Sequence, residues 1–164
     1  MALTLEDGTG IAAADSFVSV AEANAFATAR GRTLPGTVGA VEILLRKAAD
    51  FLLGMEDRFK GSRSYSAQRL PFPRYGVTTS GGYPLNSNAV PDCLKQGQIQ
   101  LAIDSQTTAL RSVGTGREVI EENVGALGKK YNPTGGNSIN PVFNAALDLL
   151  SPVLKASRGS VFRG

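Results

Sequence analysis

Thr37-Val-Gly-Ala-Val-Glu-Ile-Leu-Leu-Arg-Lys-Ala-Ala-Asp-Phe-Leu-Leu53 is the stretch that decides the fold class. Val38, Val41, Leu44, Leu45, Ala48, Phe51 and Leu52 recur at helical spacing, while Glu42, Arg46, Lys47 and Asp50 fall largely between them. This pattern predicts an amphipathic helix over 37–53, stopped by Gly54. Upstream, Ser19-Val-Ala-Glu22 has the form of a capping box, in which hydroxyl and carboxylate each satisfy an exposed helix N-terminal N–H. A short helix over 20–30 follows, with Gly31 placed to end it and Arg30 near the negative end of its dipole.

Downstream, Pro91 suits the first position of a third helix, where its missing N–H costs nothing, and the pattern extends to Ser112. Leu94 and Leu101 lie on a different stripe from Ile99, Ile103 and Leu110, so this helix buries more than one face. That suits the centre of a bundle or a subunit interface; Gln96, Gln98, Gln100 and Gln106 point to the interface, because uncharged polar groups lose water more cheaply than ions. Residues 118–124 and 127–131 read as a hairpin around Gly125-Ala126, within a segment 117–131. Such a hairpin is marginal alone and must lie on the helices or pair with another chain. Asn140 caps a last helix with Pro141 at its first position and Val142, Phe143, Ala146, Leu147 and Leu150 as its apolar side. The expected fold is mainly α: a small helical bundle with long loops and a short β-hairpin.

The 164 residues suffice for one domain with a real core, taken as 1–156, with 157–164 as a polar tail. There is no apolar run of the length a membrane helix needs and no basic, apolar leader at Met1, which predicts a soluble protein made in the cytoplasm. One cysteine, Cys93, rules out an internal disulfide and a Cys-rich zinc site; it reads as a small apolar side chain. The absence of histidine removes the commonest general base and metal ligand, which argues against an enzyme. Gly8-Thr-Gly10 and Gly125-Ala-Leu-Gly-Lys129 both fail as phosphate-binding loops. Glu118, Glu121 and Glu122 suggest a solvated hairpin sooner than a cation site, since neighbours on a strand face opposite ways. No cofactor or metal is implied.

The irregular connection 54–90 carries the most distinctive chemistry. Within it, Arg58, Lys60, Arg63, Arg69 and Arg74 interleave with Phe59, Tyr65, Phe72 and Tyr75, and their excess over Glu56 and Asp57 equals the whole-chain net charge of +3. Three readings follow. Cations and aromatic faces together bind single-stranded nucleic acid. Tyr, Phe and Arg are also favoured at protein interfaces. Alternatively Phe59, Phe72 and Tyr75 cap the core while the Arg side chains sit in water.

The opening Met1–Ala23, then Gln68-Arg-Leu-Pro-Phe-Pro-Arg-Tyr-Gly-Val77, the helix start Val90-Pro-Asp-Cys-Leu-Lys-Gln96, and Val124-Gly125 with Tyr131 resemble a family of tailed-phage proteins labelled DnaT-like single-stranded DNA-binding proteins. In that family the loop carries Trp where this chain has Phe72. The helical layout is similar to that of head–tail connector, or adaptor, proteins of long-tailed phages. The resemblance implies a non-enzymatic virion protein of the neck, passing through the host cytoplasm during assembly. It implies a ring of about twelve subunits between portal protein and tail, stopper or terminator protein, lining the DNA channel without membrane contact. It further implies portal docking by the tail, through Ser157, Arg158, Val161, Phe162 and Arg163, with the basic aromatic loop facing DNA or protein. The alternative is a single-stranded DNA-binding protein of phage replication.

Overall fold

The computed structural model describes residues 2–111, 119–123, 128–131 and 143–155. Its described residues form four α-helices and short antiparallel strand pairs, a mainly helical fold. The first helix, α1 (Val20–Ala29), begins at the capping box: Ser19 Oγ accepts the Glu22 N–H at 3.2 Å and Glu22 Oε2 accepts the Ser19 N–H at 2.8 Å. Gly31 stops it at φ +62°, a conformation that favours glycine. Arg30 stacks its guanidinium 3.5 Å above the Phe26 ring.

The second helix, α2 (Val38–Gly54), buries Val41, Leu44, Leu45, Ala48 and Leu52, as its periodicity predicts, and also Ala49 and Glu42, while Phe51 is half-buried. Val38 departs from that stripe and is exposed, because it occupies the first turn. The third helix, α3 (Asp92–Asp104), touches α1, α2 and α4 (Asn144–Leu150) and is the centre of the bundle. Burial on several faces follows from that position.

Two expectations for α3 are corrected. Pro91 stands one residue early, as the N-cap, and the helix ends at Asp104, well before Ser112. Ser105 Oγ donates to the Ala102 carbonyl at 2.7 Å and Thr107 Oγ1 to that of Asp104, so local side chains compete with continued helix. Of the four glutamines, Gln98 does not face outward. Gln98 is fully buried inside the chain, donating to Leu45 O at 2.9 Å and Ser16 Oγ at 3.0 Å and accepting from Phe17 N–H at 2.9 Å.

Strands β3 (Val119–Asn123) and β4 (Gly128–Tyr131) pair antiparallel, with Glu121 opposite Lys130 and Glu122 opposite Lys129. They contact one another and no other described element. The predicted start of the last helix at Asn140-Pro141-Val142 lies outside the described residues; α4 is described from Asn144, followed by a 3₁₀ turn at Ser151–Val153. Leu150 is fully buried over Gly97 of α3, where a Cβ would lie 2.7 Å from Leu150 Cγ. Phe143 packs edge-on against Phe51 at 5.6 Å. No described helix is long and apolar enough to cross a membrane.

Near the N-terminus a buried carboxylate organises a turn. Glu6 accepts the N–H groups of Gly8, Gly10 and Ile11 at 2.8–2.9 Å. This turn presses on the 86–88 segment so closely that any Cβ on Gly8 would overlap the Asn88 carbonyl.

Candidate functional site

The basic aromatic loop departs from α2 through a 3₁₀ turn, Glu56–Arg58, and is an ordered ribbon. Strand β1 (Ser62–Arg63) pairs with β2 (Arg74–Tyr75), Ser62 opposite Tyr75 and Arg63 opposite Arg74. On one flank Phe59 bridges Leu154; Lys60 N–H donates to Val153 O at 2.9 Å and Lys155 N–H to Arg58 O at 2.8 Å. On the other flank residues 77–85 double back: Leu85 N–H donates to Val77 O at 2.8 Å and Thr79 N–H to Tyr83 O at 2.9 Å, around a turn at Ser80-Gly-Gly82. Four runs, 153–155, 58–63, 74–79 and 83–85, therefore lie side by side.

Alternation gives this ribbon two unlike faces. Toward the core, Phe59 and Phe72 are fully buried and meet edge to face at 5.4 Å. Beside them Glu56 receives Arg63 through two hydrogen bonds and Arg74 Nη1 at 3.4 Å. Arg74, 6% exposed, also donates to the carbonyls of Lys60 at 2.8 Å, Gly61 at 2.7 Å and Pro71 at 3.3 Å. Arg63 reaches Gln68 O at 2.7 Å, and buried Gln68 ties Tyr65 N–H to Leu70 O.

The electrostatics follow from this packing. The Arg63 hydrogen bond, with its charge and that of Arg74, holds the Glu56 carboxyl below its usual range. Glu56 raises Arg63 in return, whereas burial presses Arg74 downward against the pull of Glu56. Burial likewise pushes the half-buried Cys93 thiol up.

These placements decide among the loop's three readings residue by residue. Phe72, Arg63 and Arg74 are internal partners, so a stacking platform or docking patch made of the whole loop is corrected: one carboxylate and the hydrophobic core take up its members. The core-capping reading holds for Phe59 and Phe72 but fails for Tyr75, which is 56% exposed, and for Arg74, which is not in water. Tyr65 is half-buried, donating through its hydroxyl to Asn88 Oδ1 at 3.1 Å. Arg69 is exposed and pairs with Asp50 at 3.4 Å. Lys60 Nζ donates to the carbonyls of Thr78 and Pro152, both at 3.0 Å.

Arg58, Ser62, Tyr75, Thr78 and Lys155 are exposed, and Lys60 is half-buried. Of these, Lys155 reads from sequence only as a tail charge; its place opposite Arg58 comes from a chain reversal that no local pattern encodes. Glu56 was missed as the sink for two arginines, although an acid directly before a run of cations was the available signal. Ser157, Arg158, Val161, Phe162 and Arg163 lie outside the described residues.

Comparison with known proteins gives a match to a family; no curated protein and no solved structure matches. The family is the one described as "Putative DnaT-like ssDNA binding protein", its match runs over residues 1–164, and the chain belongs to it.

Proposed function

We propose that the chain is a structural protein of the tailed-phage neck, a head–tail connector that forms a ring between portal and tail and lines the DNA channel. The observation that carries this reading is the lock between the loop and the C-terminal segment. Residues 153–155 are fixed to Arg58 and Lys60 by backbone hydrogen bonds and to Asp57 O by Lys155 Nζ at 2.8 Å. The described C-terminal segment is thus tied to the loop by backbone and side-chain hydrogen bonds. A docking segment on a fixed root loses less freedom when it engages the portal. Symmetry then repeats a modest contact around the ring and multiplies its strength. The work is mechanical, without catalysis or cofactor, in the virion neck after assembly in the host cytoplasm.

Negative-stain imaging of the purified protein, alone and with portal, tests this reading. Rings or a portal-bound collar are expected, and deletion of 157–164 abolishes attachment while the helical bundle stays folded. Unchanged portal pull-down by the deleted protein would sink the tail as the docking element. A second reading, a single-stranded DNA-binding protein of phage replication, is favoured by the family's description. It predicts salt-sensitive binding to an oligonucleotide without portal association.

A further inference from the structure

We infer that the hairpin of β3 and β4 is a head-to-tail assembly arm, in which β4 of one subunit pairs with β3 of a second copy of this chain. Closure of that series into a ring rests on the connector reading above. The pairing itself rests on the hairpin.

A two-stranded hairpin is marginally stable by itself in water. Here β3 and β4 make a sheet of two strands and contact no other described element, so among the described residues nothing stands against either outer edge. Each edge offers backbone N–H and C=O groups that a further strand can take up. A second copy brings the same two strands, and β4 against β3, antiparallel, is the pairing the hairpin already makes within itself.

Charge decides which strands of two copies can meet. Charged residues ordinarily guard a sheet edge against any further strand. In this hairpin they are sorted by sign: β3 holds Glu121 and Glu122 and no cation, while β4 holds Lys129 and Lys130 and no acid. Within the hairpin Glu121 lies opposite Lys130 and Glu122 opposite Lys129. A two-fold dimer would set β3 against β3 or β4 against β4, with like charges opposite one another, which is destabilising. Head-to-tail pairing instead sets the lysines of one copy against the glutamates of the next and repeats the hairpin's own opposite-charge pairs at every junction. The pattern therefore blocks an isologous dimer and admits a heterologous series, which forms a ring where its rotation closes. Closure leaves no strand edge unpaired.

The test is the assembly state of the full chain, read by size-exclusion chromatography with light scattering and by negative-stain imaging, alone and on the portal. Lys129→Glu/Lys130→Glu makes both strands acidic and should lose the assembled species at concentrations where the parent forms it. The full exchange, Glu121→Lys/Glu122→Lys/Lys129→Glu/Lys130→Glu, keeps every opposite pair within the hairpin and between its own copies. It should assemble by itself as the parent does. Mixed with affinity-tagged parent it should stay out of the captured assemblies, because each mixed junction sets lysine against lysine or glutamate against glutamate. This mixing experiment decides the matter even where the double variant fails to fold. Mixed assemblies, an exchanged chain that cannot assemble with itself, or a folded double variant that assembles like the parent would each overturn the pairing and leave the ring reading in place. A parent that stays monomeric both alone and on the portal overturns the ring reading and the pairing with it.

Discussion

The side-chain carbonyl of Gln98 accepts the backbone N–H of Phe17 at 2.9 Å, joining the middle of α3 to the segment that leads into α1. The same side chain's NH₂ group reaches the Leu45 carbonyl on α2, so one buried amide holds three parts of the chain in register. Gln98→Leu should therefore destabilise by about 3 kcal/mol, because the Phe17 donor and Leu45 acceptor lose their partner away from water. Urea unfolding checks this; a midpoint within error of the parent would show that the amide is dispensable.

Gly97→Ala is expected to destabilise, although alanine is the better helix former by about 1 kcal/mol. The new Cβ would sit 2.7 Å from Leu150 Cγ, and Leu150 is fully buried with no room to move. Overpacking of this kind costs about 1–3 kcal/mol. The Gly97→Ala/Leu150→Ala pair should be less destabilised than the sum of the singles. Strict additivity in the double-mutant cycle would refute the contact.

Acid should loosen the loop through Glu56. Its folded pKa is depressed, so its stabilisation is present above the unfolded carboxylate value and is lost as pH falls through the folded one. Stability should fall as pH drops below about 4.3, and Glu56→Gln should reduce that slope. The same variant should be less stable near neutrality, since buried Arg74 then lacks its counter-charge. Denaturant midpoints across pH for both proteins decide it; parallel curves would remove Glu56 from the account.

Ser19→Ala should cost about 1 kcal/mol by removing the N-cap acceptor of α1. It should also raise the Glu22 pKa part of the way to normal. The Ser19 backbone N–H, the larger influence on Glu22, survives the substitution, and only the hydroxyl is lost. A carboxyl NMR titration that left Glu22 unmoved would show the hydroxyl to be idle.

What the sequence revealed and what it hid separate along a physical line. Local devices were legible: the capping box at Ser19 and Glu22, the glycine stop at Gly31, and the apolar period of α2 each act within a turn or two. The end of α3 was not, because Ser105 and Thr107 turn their hydroxyls back on the helix, which composition alone does not reveal. Least legible was the loop. Arg74 looks like any surface arginine until Glu56, Lys60, Gly61 and Pro71 gather around it, and that gathering depends on a strand register fixed from outside. Gln98 misled in the same way: a polar residue facing inward reads as an interface until its three internal partners are known.

The cover that Leu150 places over Gly97 has a bearing on how the protein is made. On the ribosome α1, α2 and α3 emerge well before α4, so the Gly97 face of α3 stays bare while the rest of the bundle is already able to close. The ribbon is likewise left one run short until 153–155 arrives to pair with Phe59. The bundle and the ribbon can thus close only once α4 and residues 153–155 have been made.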